Sequence, residues 1–164
     1  MKVELVERRE IMKVRMAFFA VAGVITASAL FTAVNAQPSF QEAPAPTTKT
    51  VWDGVYTQAQ ADRGKAAYGQ NCAACHGDDL AGMEMAPPLT GPNFMSNWNS
   101  LTAGALFERI QNNMPLTNPG SMSQATSADI LAYVLSANKF PAGKVELPAD
   151  ALPLKTVKIL AQKP

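Results

Sequence analysis

Histidine is almost absent from this chain: His76 is the only one in 164 residues, and cysteine occurs only at Cys72 and Cys75. Three soft ligands without a second Cys/His cluster cannot close a tetrahedral zinc site. Charge is also scarce. Charged residues make up 16% of the chain and the formal net charge is +1. No basic stripe runs through it, which argues against nucleic acid as a partner, and so even a balance predicts no strong electrostatic steering. No internal repeat is visible. Nothing before the cysteines has the strand–helix–strand pattern that a thioredoxin-like pair would follow.

The scarce residues that are present stand together, as Cys72-Ala73-Ala74-Cys75-His76. Two cysteines three apart, with a histidine directly after the second, make the attachment signature of a c-type haem. The chemistry dictates the spacing. Both thiols add to vinyl groups on one edge of the porphyrin, and the next side chain then rises beneath the iron as its proximal ligand. The rival readings of the stretch are a chance match and a plain disulfide.

The length predicts one domain. Residues 1–36 read as a segment outside it. Lys2, Arg8, Arg9, Lys13 and Arg15 precede an uncharged apolar run over 16–34, and Val34-Asn35-Ala36 offers small residues for cleavage before Gln37. Positive, apolar, small-residue site is the secretory pattern. Met12 or Met16 could be the true start, since the first eleven residues are acidic for such a region. A retained membrane anchor is the alternative, because the run is just long enough to span a bilayer. Both readings put the folded part outside the cytoplasm, as covalent haem attachment suits. Cleavage after Ala36 would remove five of 14 Lys/Arg and three of 13 Asp/Glu, leaving a net charge of −1.

Residues 37–50, with three prolines, read as a tether. The run Val51-Trp52-Asp53-Gly54-Val55-Tyr56 then restores apolar character. It is read as packing against the domain rather than covering a haem edge. Thr57 can cap a helix over 58–71. Gly64 inside it costs about 1 kcal/mol relative to alanine, so with Tyr68 one turn later it suggests another helix passing close by. Residues 77–91 are too broken by glycine and proline for regular structure. A short amphipathic helix is expected over 102–112, with Ala105, Leu106, Phe107 and Ile110 on its apolar side, and Met114-Pro115 stops it. Residues 113–123 read as an irregular loop. Thr126 or Ser127 is the expected cap of a last helix to about 138, with Ile130, Tyr133, Val134 and Ala137 on one face. Residues 141–164 read as an extended wrap or a flexible end, those from 149 on being set apart as a tail.

With one histidine in the chain, the iron's far side cannot take a second. A methionine thioether is the usual soft alternative and raises the potential. Met83 and Met85 lie close after His76, on the proximal side, and Met95 reads as core. Met114 and Met122 flank the loop that can cross the far face. Met114 is favoured because Pro115 stiffens its backbone. Met122 stays open as the alternative, since methionine is more often core filler than ligand, and five-coordination also stays open.

From Val51 to Pro148 the chain resembles the class I c-type cytochromes, most of all the small periplasmic mono-haem ones found beside quinoprotein dehydrogenases. The resemblance is carried by the 52–56 run, Gly64 with Tyr68, the 72–77 motif, Ala86-Pro87-Pro88-Leu89, Asn97-Trp98, Met114-Pro115, Asn118-Pro119-Gly120-Ser121 and Asp129-Ile130-Leu131-Ala132-Tyr133. It implies an all-α fold, a small helical domain around one covalent haem c, in which the first and last helices cross at Gly64 and Tyr133. It implies that the Pro87 carbonyl accepts the His76 Nδ1–H, that Leu89 packs on the haem, and that Met114 is the distal ligand. Trp98 would reach a haem propionate or be a core tryptophan. Relatives of this kind carry leucine at position 122, so Met122 is a departure.

The reading that follows is an exported electron carrier, not an enzyme. It would take single electrons from a periplasmic dehydrogenase and pass them to a terminal oxidase or another cytochrome. A haem enzyme acting on peroxide or a sulfur compound is one rival, and it would need Arg109 or Glu108 as its distal group. A membrane-anchored subunit of a larger complex is another. A gas-binding helical bundle, with its haem motif near the carboxyl terminus, is disfavoured by the 88 residues that follow His76.

Overall fold

The computed structural model describes residues 48–84 and 86–164. The leader reading of residues 1–36, most of the tether and Met85 lie outside the described residues.

Two long helices make the frame. Helix α1 spans Gln58–Asn71. Thr57 caps it, its Oγ1 accepting the Gln60 N–H at 3.1 Å, which satisfies a donor the helix cannot pair internally. The last long helix covers Gln124–Ala137 and crosses α1 at Gly64. A Cβ there would fall on the Asp129 backbone carbonyl, so only glycine lets the two backbones approach this closely. One turn further along α1, the Tyr68 and Tyr133 rings lie 5.3 Å apart. The expected crossing at Gly64 and Tyr133 is thus present. The cap of the last helix differs from expectation. It is Ser123, whose Oγ accepts from Thr126 N at 3.0 Å, and Ser127 is buried one turn in.

Between these helices lie three shorter ones, which bring the labels to α5 for the last long helix. Helix α2 is the single turn Ala73–His76. Helix α3, Gly91–Trp98, was not expected from the sequence. Pro92 sits in its first turn, where a missing N–H costs nothing, and Phe94 stacks on Trp98 at 6.4 Å. Helix α4, Ala103–Asn113, is capped by Thr102 and buries Leu106, Phe107 and Ile110.

The two ends of the described chain close on each other. Strand β1, Lys49–Thr50, pairs in parallel with β2, Val157–Lys158. Thr50 and Asp53 form a reciprocal cap on the 3₁₀ turn Val51–Asp53. Trp52 donates from Nε1 to the Leu160 carbonyl at 2.9 Å and meets Phe140 edge-on at 5.0 Å. Helix α6, Ala151–Leu154, lies against α4 where Gly104 leaves no room for a side chain. Two boundaries therefore move. Lys49 and Thr50 belong to the folded part rather than to the tether. Residues beyond Pro148 are an integral wrap, since Leu154, Val157 and Ile159 are all in the core. The intervening strap is held from α1. Gln60 accepts from Leu147 N at 2.8 Å and donates to Leu147 O at 3.0 Å, and Arg63 bridges Asp129 and Glu146. Its hydrogen bonds hold the Glu146 carboxyl below the usual range.

Candidate haem site

The end of α1 builds the site. Its last turn closes at Cys72, whose N–H bonds Tyr68 O at 2.8 Å, and the chain re-enters one helical turn with His76 N on Cys72 O at 2.9 Å. In a helical turn, positions three and four apart share a face. Cys72, Cys75 and His76 accordingly line one cleft of about 210 Å³. Cys75 is exposed and Cys72 partly buried. Burial, with Cys75 next in effect, pushes the Cys72 thiol up to about 11. His76 is 8% exposed, and its Nδ1 lies 2.9 Å from the Pro87 carbonyl oxygen. A carbonyl only accepts, so Nδ1 carries the proton and Nε2 is the nitrogen left for a metal.

The loop carrying Pro87 is pinned around the histidine. Gly82 N bonds His76 O at 2.9 Å and Leu89 N bonds Leu80 O at 2.8 Å. Gly82 has φ +80° and touches the Ala86, Pro87 and Pro88 backbone, leaving no space for a Cβ. The Tyr68 hydroxyl donates to Gly77 O at 2.6 Å. At the far end Asn138, the residue closing α5, donates to Leu89 O at 2.9 Å and accepts from Gly91 N at 3.1 Å.

The rest of the cleft is mostly apolar, with Asn71, Asn97 and Arg109 as its polar members. Leu89, Trp98, Leu106, Ile110, Ile130 and Val134 line it, and Met114, Pro115 and Leu116 reach it from beyond α4. Met114 is the residue at which α4 ends, its N–H on Ile110 O and its backbone extended. Met122 is not in the lining. It is buried among the core residues, and its carbonyl accepts from Gln111 Nε2 at 2.8 Å. Met83 and Met95 do not line the cleft either. Arg109 lines it and is its one charged side chain among the described residues, whereas Glu108 is paired with Lys155 at 2.8 Å. None of residues 51–56 reaches it. The sequence reading missed Asn138 as a loop anchor, for an asparagine after a helix reads only as a cap.

Two thiols on one turn, an imidazole with Nε2 left for a metal and a thioether in the same small, mostly apolar cleft are a donor set that fits haem c. Residues 59–134 match the family described as cytochrome c oxidase, cbb3-type, subunit III.

Residues 59–134 form a class I c-type cytochrome domain.

The cytochrome domain binds haem c covalently and serves electron transfer. Among known proteins, the chain is similar to a thiosulfate dehydrogenase of Stutzerimonas stutzeri (strain A1501), 36% identical over 83 residues, which cover 45% of this chain and 26% of that protein. It is also similar to the cbb3-type cytochrome c oxidase subunit CcoP of Azospirillum brasilense, 32% identical over 92 residues, 52% of this chain and 30% of that one. The chain thus spans between a quarter and a third of these relatives. A solved structure, the sulfane dehydrogenase SoxCD from Paracoccus pantotrophus, matches 74% of this chain and 68% of its own at 19% identity, with a TM-score of 0.45. No helix among the described residues of the cytochrome is long and apolar enough to cross a membrane.

Proposed function

We propose that this protein is an exported mono-haem electron carrier that takes single electrons from a dehydrogenase and delivers them to an oxidase or a second cytochrome. The supporting observation is the composition of one cleft: Cys72, Cys75 and His76 enter it from one end of α1, and Met114 enters it from the end of α4. In this reading Cys72 and Cys75 hold the haem by thioether bonds. His76 binds the iron through Nε2, with Pro87 fixing its ring, and Met114 supplies the second axial ligand. Leu89 packs on the macrocycle and Trp98 closes the cleft beside it. The haem supplies a one-electron couple. The protein's part is to keep both ligands in place and water out, so that little reorganises when an electron arrives.

Cys75 and Leu116, both at the cleft and both exposed, would lie where a partner docks. A small apolar patch with few charges suits short-lived complexes. The names of the relatives, a dehydrogenase and an oxidase subunit, suit partners on both sides of such a carrier. The leader reading and the family type favour the periplasm, with attachment to the inner membrane as the alternative.

The test is the visible spectrum of the reduced holoprotein before and after carbon monoxide. Sharp low-spin bands that do not move are expected, because both axial positions are taken. Ready binding would overturn the carrier reading in favour of a haem enzyme, for which Arg109, the only charge in the cleft lining among the described residues, would be the distal group.

A further inference from the structure

Asn138 is attached to nothing in the proposed ligand set, yet two of its three side-chain hydrogen bonds bear on it. Its amide Nδ2 donates to Leu89 O and to Val134 O, both at 2.9 Å. Its Oδ1 accepts from Gly91 N at 3.1 Å. The first and third bonds pin the proximal loop two and four residues after Pro87, the residue whose carbonyl receives the His76 proton. The link between pin and acceptor is stiff. Pro87 and Pro88 each have φ locked by the ring, and the residue before a proline is further restricted. A hold on Leu89 is therefore transmitted to the Pro87 carbonyl with little slack. On the other side, Gly82 lies against Ala86, Pro87 and Pro88 without room for a Cβ, so the strut is braced between Gly82 and Asn138.

We propose that Asn138 is a positioning residue for the proximal histidine: by clamping Leu89 and Gly91 it holds the Pro87 carbonyl on His76 Nδ1–H, and so sets the reduction potential. This rests on His76 being an iron ligand. A strong Nδ1–H bond makes the imidazole a better electron donor, which favours ferric iron. Loosening the clamp weakens that bond, makes the imidazole a poorer donor and raises the potential.

Asn138→Ala removes the whole clamp, and Asn138→Asp keeps the acceptor for Gly91 while removing both donors. Gln60→Ala is the control, because Gln60 clamps Leu147 in the same two-ended way but away from the cleft. Two quantities are read on the holoproteins: the midpoint potential, and the exchange of the His76 ring N–H followed by NMR. Both Asn138 variants are expected to shift the redox equilibrium toward the ferrous state by about threefold to tenfold, the upper end being about 59 mV for one electron. They should also speed exchange, while Gln60→Ala lowers only the melting temperature. Unchanged potential and exchange in both Asn138 variants would overturn the proposal. So would an equal shift in Gln60→Ala, which would mean general loosening. Failure of the ligand reading is separately visible: a His76 ring signal without paramagnetic shift in the unaltered ferric protein would overturn the axial assignment itself.

Discussion

Met114 and Met122 are eight residues apart on the same loop, yet one lines the cleft and the other is core. The difference is backbone. Met114 leaves a helix end in an extended conformation with proline after it, and it lines the cleft. Met122 is 7% exposed and packs as an ordinary apolar residue. Met114→Ala should therefore open the reduced iron to carbon monoxide and lower the potential. Met122→Ala should leave the spectrum alone and cost about 2–5 kcal/mol of stability, as buried truncations do; denaturant midpoints and ligand titration on the two variants check both halves. Much at this scale was legible in the sequence. The spacing of Cys72, Cys75 and His76 is a local covalent demand, so it is written locally. Choosing between two methionines is not, because both suit a loop and only packing separates them.

At the scale of the element, α1 carries two interior glycines with opposite meanings. At Gly64 a Cβ would meet the Asp129 carbonyl, whereas at Gly69 nothing lies within 4 Å. Gly69→Ala should stabilise the protein by about 1 kcal/mol, the helix-propensity gain. Gly64→Ala has the same gain available but must push two helices apart, and a net loss of about 1–3 kcal/mol is expected. Thermal melts of the pair measure it; equal shifts of the same sign would remove the argument for a tight crossing. The 58–71 helix and the Gly64 crossing could be seen beforehand, because a glycine flanked by helix formers needs a reason. The start of α5 and the whole of α3 could not. The first turn of α5 opens with Gln124 and Ala125, which show no apolar period, so the sequence suggested a cap at Thr126 or Ser127 rather than Ser123. Helix α3 buries only Phe94, too little pattern over eight residues to be read against its proline, glycine and asparagines.

Over the whole molecule, the stretch after Pro148 is the surprise. Leu154, Val157 and Ile159 are in the core, each contributing about 1.5–3 kcal/mol on burial. Against a usual total of about 5–15 kcal/mol, ending the chain at Pro148 should abolish cooperative unfolding or lower the melting temperature steeply, as calorimetry would record. The cofactor belongs to the same ledger. Leu89, Leu106, Ile110, Ile130 and Val134 line the cleft, and a ligand that fills it stabilises only the folded state. Haem-free Cys72→Ala/Cys75→Ala protein is expected to be largely unfolded by circular dichroism, and a sharp cooperative melt from it would refute this.

By itself the sequence determined the cofactor class and the long-helix frame, since covalent attachment and helix propensity act between residues a few positions apart. The tertiary structure alone decided which methionine enters the cleft, that Leu154, Val157 and Ile159 are core, and that Asn138 reaches back to the loop at Leu89 and Gly91. Those outcomes depend on contacts between residues up to about a hundred positions apart, such as Trp52 on Leu160, and apolar pattern records that a residue is buried but not against what.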